Sequence, residues 1–134
     1  MKLSIFTDGG SRGNPGESGI GVVIIDENEK ILERRYSYLG ICTNNFAEYS
    51  AVLFGIKRAI ELEAKQVEMF MDSKLVASQL SGVWKVKNDD LKGIYFEIKD
   101  IINKNKIKIV FSWIPREKNK EADRLANKAM DVKQ

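Results

Sequence analysis

Four carboxylates, Asp8, Glu48, Asp72 and Asp123, stand where acids can do chemistry. Asp8 follows the β-type run Leu3-Ser4-Ile5-Phe6-Thr7, and Asp72 follows a second such run, Val67 to Met71. Glu48 shares a helical face with Val52, Gly55, Ala59 and Leu62, and Asp123 opens the last amphipathic stretch. Each has an ordinary explanation on its own. Asn45-x-x-Glu48 reads as a capping box, Asp72 as the cap of a helix starting at Ser73, and Asp123 as an acid at the positive end of a helix. Gathered into one pocket, however, the four would repel and raise one another's pKa unless cations neutralised them, so a stable cluster implies bound metal. The remaining residue types narrow the choice of metal. The chain has no histidine and one cysteine, Cys42. That removes Ser-His and Cys-His nucleophile systems, a histidine general base and imidazole-ligated zinc. Oxygen ligands alone select hard cations such as Mg²⁺, Mn²⁺ or Ca²⁺.

Directly after Asp8 comes a glycine-rich stretch, Gly9, Gly10, Gly13 and Gly16, with Ser11, Arg12 and Asn14 between them. It reads as a flexible loop whose N–H groups can approach an anion closely, which suits metal-assisted phosphate chemistry. The plainer reading is a hairpin connection whose glycines only make the turn.

The elements that must position these residues follow from the patterning. Gly19 to Ile25 is a buried-type strand, Asp26 to Glu29 a turn, and Lys30 to Leu39 an outer strand with mixed faces. Gly40 to Asn45 connects to a long helix reaching about Glu63, apolar nearly all round except Lys57, Arg58 and Glu61. Ser73 to Leu80 is a short helix stopped by Gly82. Leu91, Ile94, Ile98 and Ile101 repeat at helical spacing, and Ile107 to Trp113 alternates as a half-buried strand. The last helix opens near Asn119, keeps Ala122, Leu125, Ala126 and Ala129 on one side, and frays after Met130. The order βββ-α-β-α-α-β-α predicts an α/β fold, a three-stranded antiparallel meander followed by crossovers to two parallel strands. Asp8 and Asp72 then lie at the carboxyl ends of neighbouring parallel strands, the usual place for an α/β active site.

Composition sets the outer limits. The 134 residues, 43% hydrophobic and 31% charged, suit one globular domain spanning 1–134. A net charge of +3 allows a polyanionic partner without demanding one. No apolar run approaches the ~18–20 residues of a membrane span. Met1-Lys2-Leu3-Ser4 lacks a signal-peptide core, and with a lone cysteine this points to a cytoplasmic location with no membrane partner.

In this order and spacing, four segments resemble type 1 ribonuclease H over essentially the whole chain. They are Thr7-Asp8-Gly9-Gly10-Ser11 with Asn14-Pro15-Gly16, then Thr43-Asn44-Asn45-Phe46-Ala47-Glu48, then Asp72-Ser73, and last Asn119-Lys120-Glu121-Ala122-Asp123-Arg124-Leu125-Ala126. The resemblance implies a ribonuclease H-like five-stranded mixed sheet flanked by helices. It also implies an endonuclease that hydrolyses the RNA strand of RNA/DNA hybrids with two Mg²⁺ ions, leaving 5′-phosphate and 3′-hydroxyl ends, with Mn²⁺ as a possible substitute. Carried over by position, Asp8, Glu48, Asp72 and Asp123 are the catalytic, metal-binding acids, with Asp8 bridging both ions. Gly9, Gly10, Ser11, Asn14, Asn44 and Asn45 suit contacts to the minor groove with its 2′-hydroxyls, and Thr43 a phosphate of the DNA strand. Trp84, beside Lys85 and Lys87, suits a sugar and its phosphates, or else closes the core next to Val83.

Two departures from the family pattern matter. Many relatives carry a histidine in the loop before the last acid, and here Lys118 stands near that place. The chain also lacks a basic protrusion between the middle helices, so its grip on a hybrid should be weak and salt-dependent, leaving double-stranded RNA open as a second substrate. No obligate protein partner is implied, and a monomer is expected. Two alternatives remain at this point: a non-catalytic module binding hybrids or duplex RNA, and a DNA resolvase or transposase core of the same broad fold.

Overall fold

The computed structural model describes residues 1–134. Strands β1 (Lys2–Gly13), β2 (Gly16–Ile25), β3 (Ile31–Cys42), β4 (Gln66–Met71) and β5 (Lys108–Trp113) form one sheet in the order β3-β2-β1-β4-β5. The first three make the antiparallel meander, and β4 and β5 run parallel to β1, as the element order requires. The helices are α1 (Asn44–Glu61), α2 (Lys74–Leu80), α3 (Asp89–Asn105) and α4 (Lys120–Val132), with a 3₁₀ turn at Arg116–Lys118 just ahead of α4.

The two faces of the sheet are covered by different helices, and glycines decide how closely. Gly9 and Gly21 point to opposite faces, because Gly21 pairs with Asp8 and successive strand residues alternate. A Cβ on Gly9 would lie 2.2 Å from the Ala47 carbonyl oxygen of α1, and one on Gly21 would lie 2.1 Å from the Ala122 carbonyl oxygen of α4. Both helices therefore dock with their backbones against the sheet. On the α1 side, Leu3, Ile5, Val22, Ile24, Met69 and Met71 pack with Tyr49, Val52, Ile56, Leu80 and Ile98 into the main core.

Three local expectations are corrected. The glycine-rich stretch after Asp8 is strand, not flexible loop: β1 stays paired to β2 from Asp8↔Gly21 to Gly13↔Gly16, and only Gly13 to Gly16 turns, with Gly13 at φ 96° and a cis Asn14–Pro15 bond. Parallel pairing with β4 does stop at Phe6↔Phe70, so Asp8 lies just past the end of that ladder. At the start of α1, Thr43 is the cap, its Oγ1 accepting from the Phe46 N–H at 3.2 Å, so no Asn45–Glu48 capping box forms. Finally, α4 continues past Met130 to Val132 before Lys133 turns left-handed at φ 53°.

Candidate functional site

Asp8 reaches the site from β1, Glu48 from the second turn of α1, and Asp72 from just beyond β4. One carboxylate oxygen of each lies within 4.8 Å of the others. Asp8 and Glu48 are buried, at 7% and 8% exposure. Neither Glu48 nor Asp72 is placed there by helix capping. Ser73, not Asp72, caps α2, its Oγ accepting from the Val76 N–H at 3.2 Å. Asp72 is held instead by its surroundings: the indole N–H of Trp113 donates to its carbonyl at 3.2 Å, and the carboxamide of Asn119 donates to its Oδ2 at 3.1 Å.

Such packing of acids is electrostatically costly. Burial, then the charge of Asp72, then the proximity of Asp123 push the Asp8 carboxyl up to about 8. Burial, then Asp8, then Asp72 hold Glu48 well above the usual carboxylate range. Glu48 Oε2 is also buried without a hydrogen-bond partner. An orphaned carboxylate oxygen beside two further acids is a donor set with room for a cation, and the all-oxygen ligands fit a hard one.

The fourth acid lies beside Asp8 but outside the mutual spacing of this trio. Asp123, in the first turn of α4, lines the same cavity of about 350 Å³ and influences Asp8, but its Oδ1 faces Arg116 at 3.6 Å on the rim. Lys118 lies elsewhere: it lines a groove with Phe6, Val23, Ile25 and Ile31. The 3₁₀ turn puts Arg116, two residues earlier, at the acid cavity in its place.

Next to the acids, the expected substrate-contact residues form a small network. The Ser11 N–H donates to Asn44 Oδ1 at 2.7 Å, and the Asn44 N–H donates to Asn14 Oδ1 at 3.1 Å. The Ser11 hydroxyl donates to the Cys42 carbonyl at 2.8 Å. These bonds staple the β1–β2 hairpin to the end of β3 and the start of α1, where Asn44 and Asn45 are exposed. Gly9, Gly10, Ser11 and Asn44 line the cavity itself. Trp84 lies in the Gly82–Asn88 connection between α2 and α3 and is 46% exposed, so it does not close the core. Sequence reasoning missed Arg116, Asn119 as a buried site residue, and Asn127, which lines the cavity and accepts from Arg12 at 3.3 Å.

Comparison with known proteins adds a family. Residues 6–129 match the reverse transcriptase-like family model. The chain is 43% identical over 133 residues to the bifunctional protein Rv2228c of Mycobacterium tuberculosis, covering 98% of this chain but only 36% of that protein. The crystal structure of LC11-RNase H1 in complex with an RNA/DNA hybrid superposes with a TM-score of 0.93 at 43% identity, covering 97% of each chain. Ribonuclease H1 of the halophilic archaeon Halobacterium salinarum gives a TM-score of 0.94 at 31% identity, covering 98% of this chain and 99% of that one.

Proposed function

The chain belongs to the ribonuclease H family, and from that premise we propose that it is a metal-dependent endonuclease hydrolysing the RNA strand of RNA/DNA hybrids. The observation that carries this reading is the trio of converging acids, two of them buried, with Glu48 Oε2 unpaired. A protein that merely bound polyanions would gain nothing from such a cluster, which disfavours the non-catalytic alternative. Asp8, Glu48 and Asp72, with Asp123 on the rim, would hold two Mg²⁺ ions, or Mn²⁺ in their place. Ions so held would supply Lewis-acid polarisation of the scissile phosphate, an activated water for in-line attack and charge compensation at the departing 3′ oxygen, giving 5′-phosphate and 3′-hydroxyl ends.

The protein's own groups do the rest. Gly9 lets α1 seat against β1, and Gly10, with open space where a side chain would stand, lines the cavity with Ser11 so that a strand of nucleic acid can approach. Asn14, Asn44 and Asn45 face the minor groove, where 2′-hydroxyls mark RNA. Thr43, already capping α1, retains a hydroxyl hydrogen for a phosphate of the DNA strand. Trp84 offers an exposed ring to a sugar. Arg116 holds a guanidinium next to Asp123, where it can pair with the phosphate under attack or leaving. Double-stranded RNA is a candidate second substrate, and a cytoplasmic monomer is the simplest physical setting. No helix is long and apolar enough to cross a membrane.

One gel tests the reading: labelled hybrid, double-stranded RNA and DNA, each with Mg²⁺, Mn²⁺ or EDTA. Cleavage of the RNA in the hybrid with Mg²⁺, abolished by EDTA, is expected. An uncut hybrid, or cutting that survives EDTA, would overturn it.

A further inference from the structure

Asn119 touches three of the four acids or their immediate supports. It is 1% exposed. Its Nδ2 donates to the Thr7 carbonyl at 2.9 Å, just before Asp8, and to Asp72 Oδ2 at 3.1 Å. Its own carbonyl accepts from the Asp123 N–H at 3.1 Å. One buried residue thus links β1, the Asp72 carboxylate and the first turn of α4.

Two features separate this from ordinary helix capping. Asn119 occupies the N-cap position of α4, where an asparagine side chain usually accepts from the first turn, yet it makes no side-chain cap bond. The orientation of its amide is also forced. Both partners are acceptors, so the NH₂ must face them, and Oδ1 is left buried without a partner. The fold thus forgoes a cap and tolerates an orphaned carbonyl in order to point two donors at the site.

We propose that Asn119 is a positioning residue for Asp72. Its N–H fixes the rotation of the Asp72 carboxylate, and its second bond ties that carboxylate to β1 at a set spacing from Asp8. The aim of Asp72 into the cavity is then set by the protein before a cation arrives. The inference rests on the proposed metal-dependent nuclease, because only there does the aim of Asp72 matter.

Asn119→Asp keeps the shape and leaves at most one donor, the O–H of its neutral form, and Asn119→Leu removes both donors and the orphaned oxygen. Both are compared with wild type by melting in EDTA, by Mn²⁺ calorimetry on the resting protein, and by kcat and KM on a labelled hybrid. For Asn119→Leu the expected result is melting within a few degrees of wild type, with Mn²⁺ affinity and Mg²⁺-supported kcat each down ~10–100-fold. KM for the hybrid should stay within about two-fold, since the side chain is buried and positions a metal ligand rather than substrate. The loss of kcat should be smaller with Mn²⁺ than with Mg²⁺, which demands stricter octahedral geometry. A folded variant with unchanged kcat and unchanged Mn²⁺ affinity would overturn the proposal. So would a large drop in melting for both variants with wild-type kcat regained below their transitions, which would leave a purely structural role. Failure of the wild type to cleave would strike the functional reading instead, and the calorimetry would still decide the role of Asn119.

Discussion

Asp8→Asn should make the metal-free protein more stable, by an amount that grows with pH. Burial and neighbouring acids lift Asp8 from 3.8 to about 8 in the fold. In the unfolded chain it titrates near the lower value, so between the two the unfolded state has released a proton that the folded state still holds. Stability therefore falls as pH rises through this window, by about 1.4 kcal/mol per unit. From pH 5 to pH 8 this amounts to about 4 kcal/mol in a rigid pocket and about 2–4 kcal/mol once side chains relax. Asparagine has no proton to lose, so the variant should lack this share of the pH dependence, while Glu48, raised mainly by burial, keeps its own. At ~3 °C per kcal/mol for a chain this size, its melting advantage in EDTA should widen by roughly 6–12 °C between pH 5 and pH 8. Saturating Mg²⁺ should then reverse the ranking at pH 8 by stabilising wild type alone, with little effect at pH 5 where protons occupy the ligands. Cleavage should vanish in the variant while hybrid binding survives. Melting curves for the two proteins that run parallel across pH in EDTA would refute the electrostatic reasoning, and cleavage at the wild-type rate would refute the assignment of Asp8.

Other perturbations follow from the same geometry. Gly21→Ala puts a Cβ 2.1 Å from the Ala122 carbonyl oxygen, so α4 must back away with Asp123; a loss of about 2–3 kcal/mol in urea denaturation and reduced cleavage are expected, against no change if the helix yields freely. Arg58 of α1 pairs with Glu33 of β3 through its Nε at 2.9 Å and again through Nη2, so Arg58→Ala should cost about 1 kcal/mol at neutral pH. The hydrogen bond from Arg58 lowers the Glu33 pKa, so this stabilisation exists above the ordinary carboxylate range and should fade as acid protonates Glu33; a deficit that persists in acid would contradict it. Trp84→Ala, at an exposed site, should leave stability within about 0.5 kcal/mol of wild type but raise KM for the hybrid by a factor that salt leaves nearly unchanged, since the ring neutralises no phosphate; an unchanged KM would remove Trp84 from the interface.

Much of this was legible in the residues themselves. A continuous β-branched run located β2, alternation located β5, helical spacing located α3 and α4, and the element order gave the sheet. The extension of β1 was not legible, because Gly9 and Gly10 carry no strand signal; the cause of Gly9 is the backbone of α1, 38 residues away in the chain. Glu48 and Asp72 could be read from their places in their elements, whereas Asp8 lies mid-strand in β1 and comes to the site because the ladder with β4 stops at Phe6. The rim position of Asp123 depends on how α4 is rotated against Gly19 and Gly21, which spacing alone does not fix. Lys118 and Arg116 exchange places for a similar reason, since a 3₁₀ turn re-aims side chains within three residues. Asn119 left no periodic trace: its partners lie 112 and 47 residues away, and only the folded chain joins them.

The claim on which the rest depends is that the buried acids are completed by divalent cations. Anomalous diffraction from crystals grown with Mn²⁺ and a non-cleavable hybrid tests it most directly. The account expects peaks bounded by Asp8, Glu48 and Asp72, with the RNA backbone beside them. A cavity without such peaks at saturating Mn²⁺, or peaks only at surface acids, would contradict it.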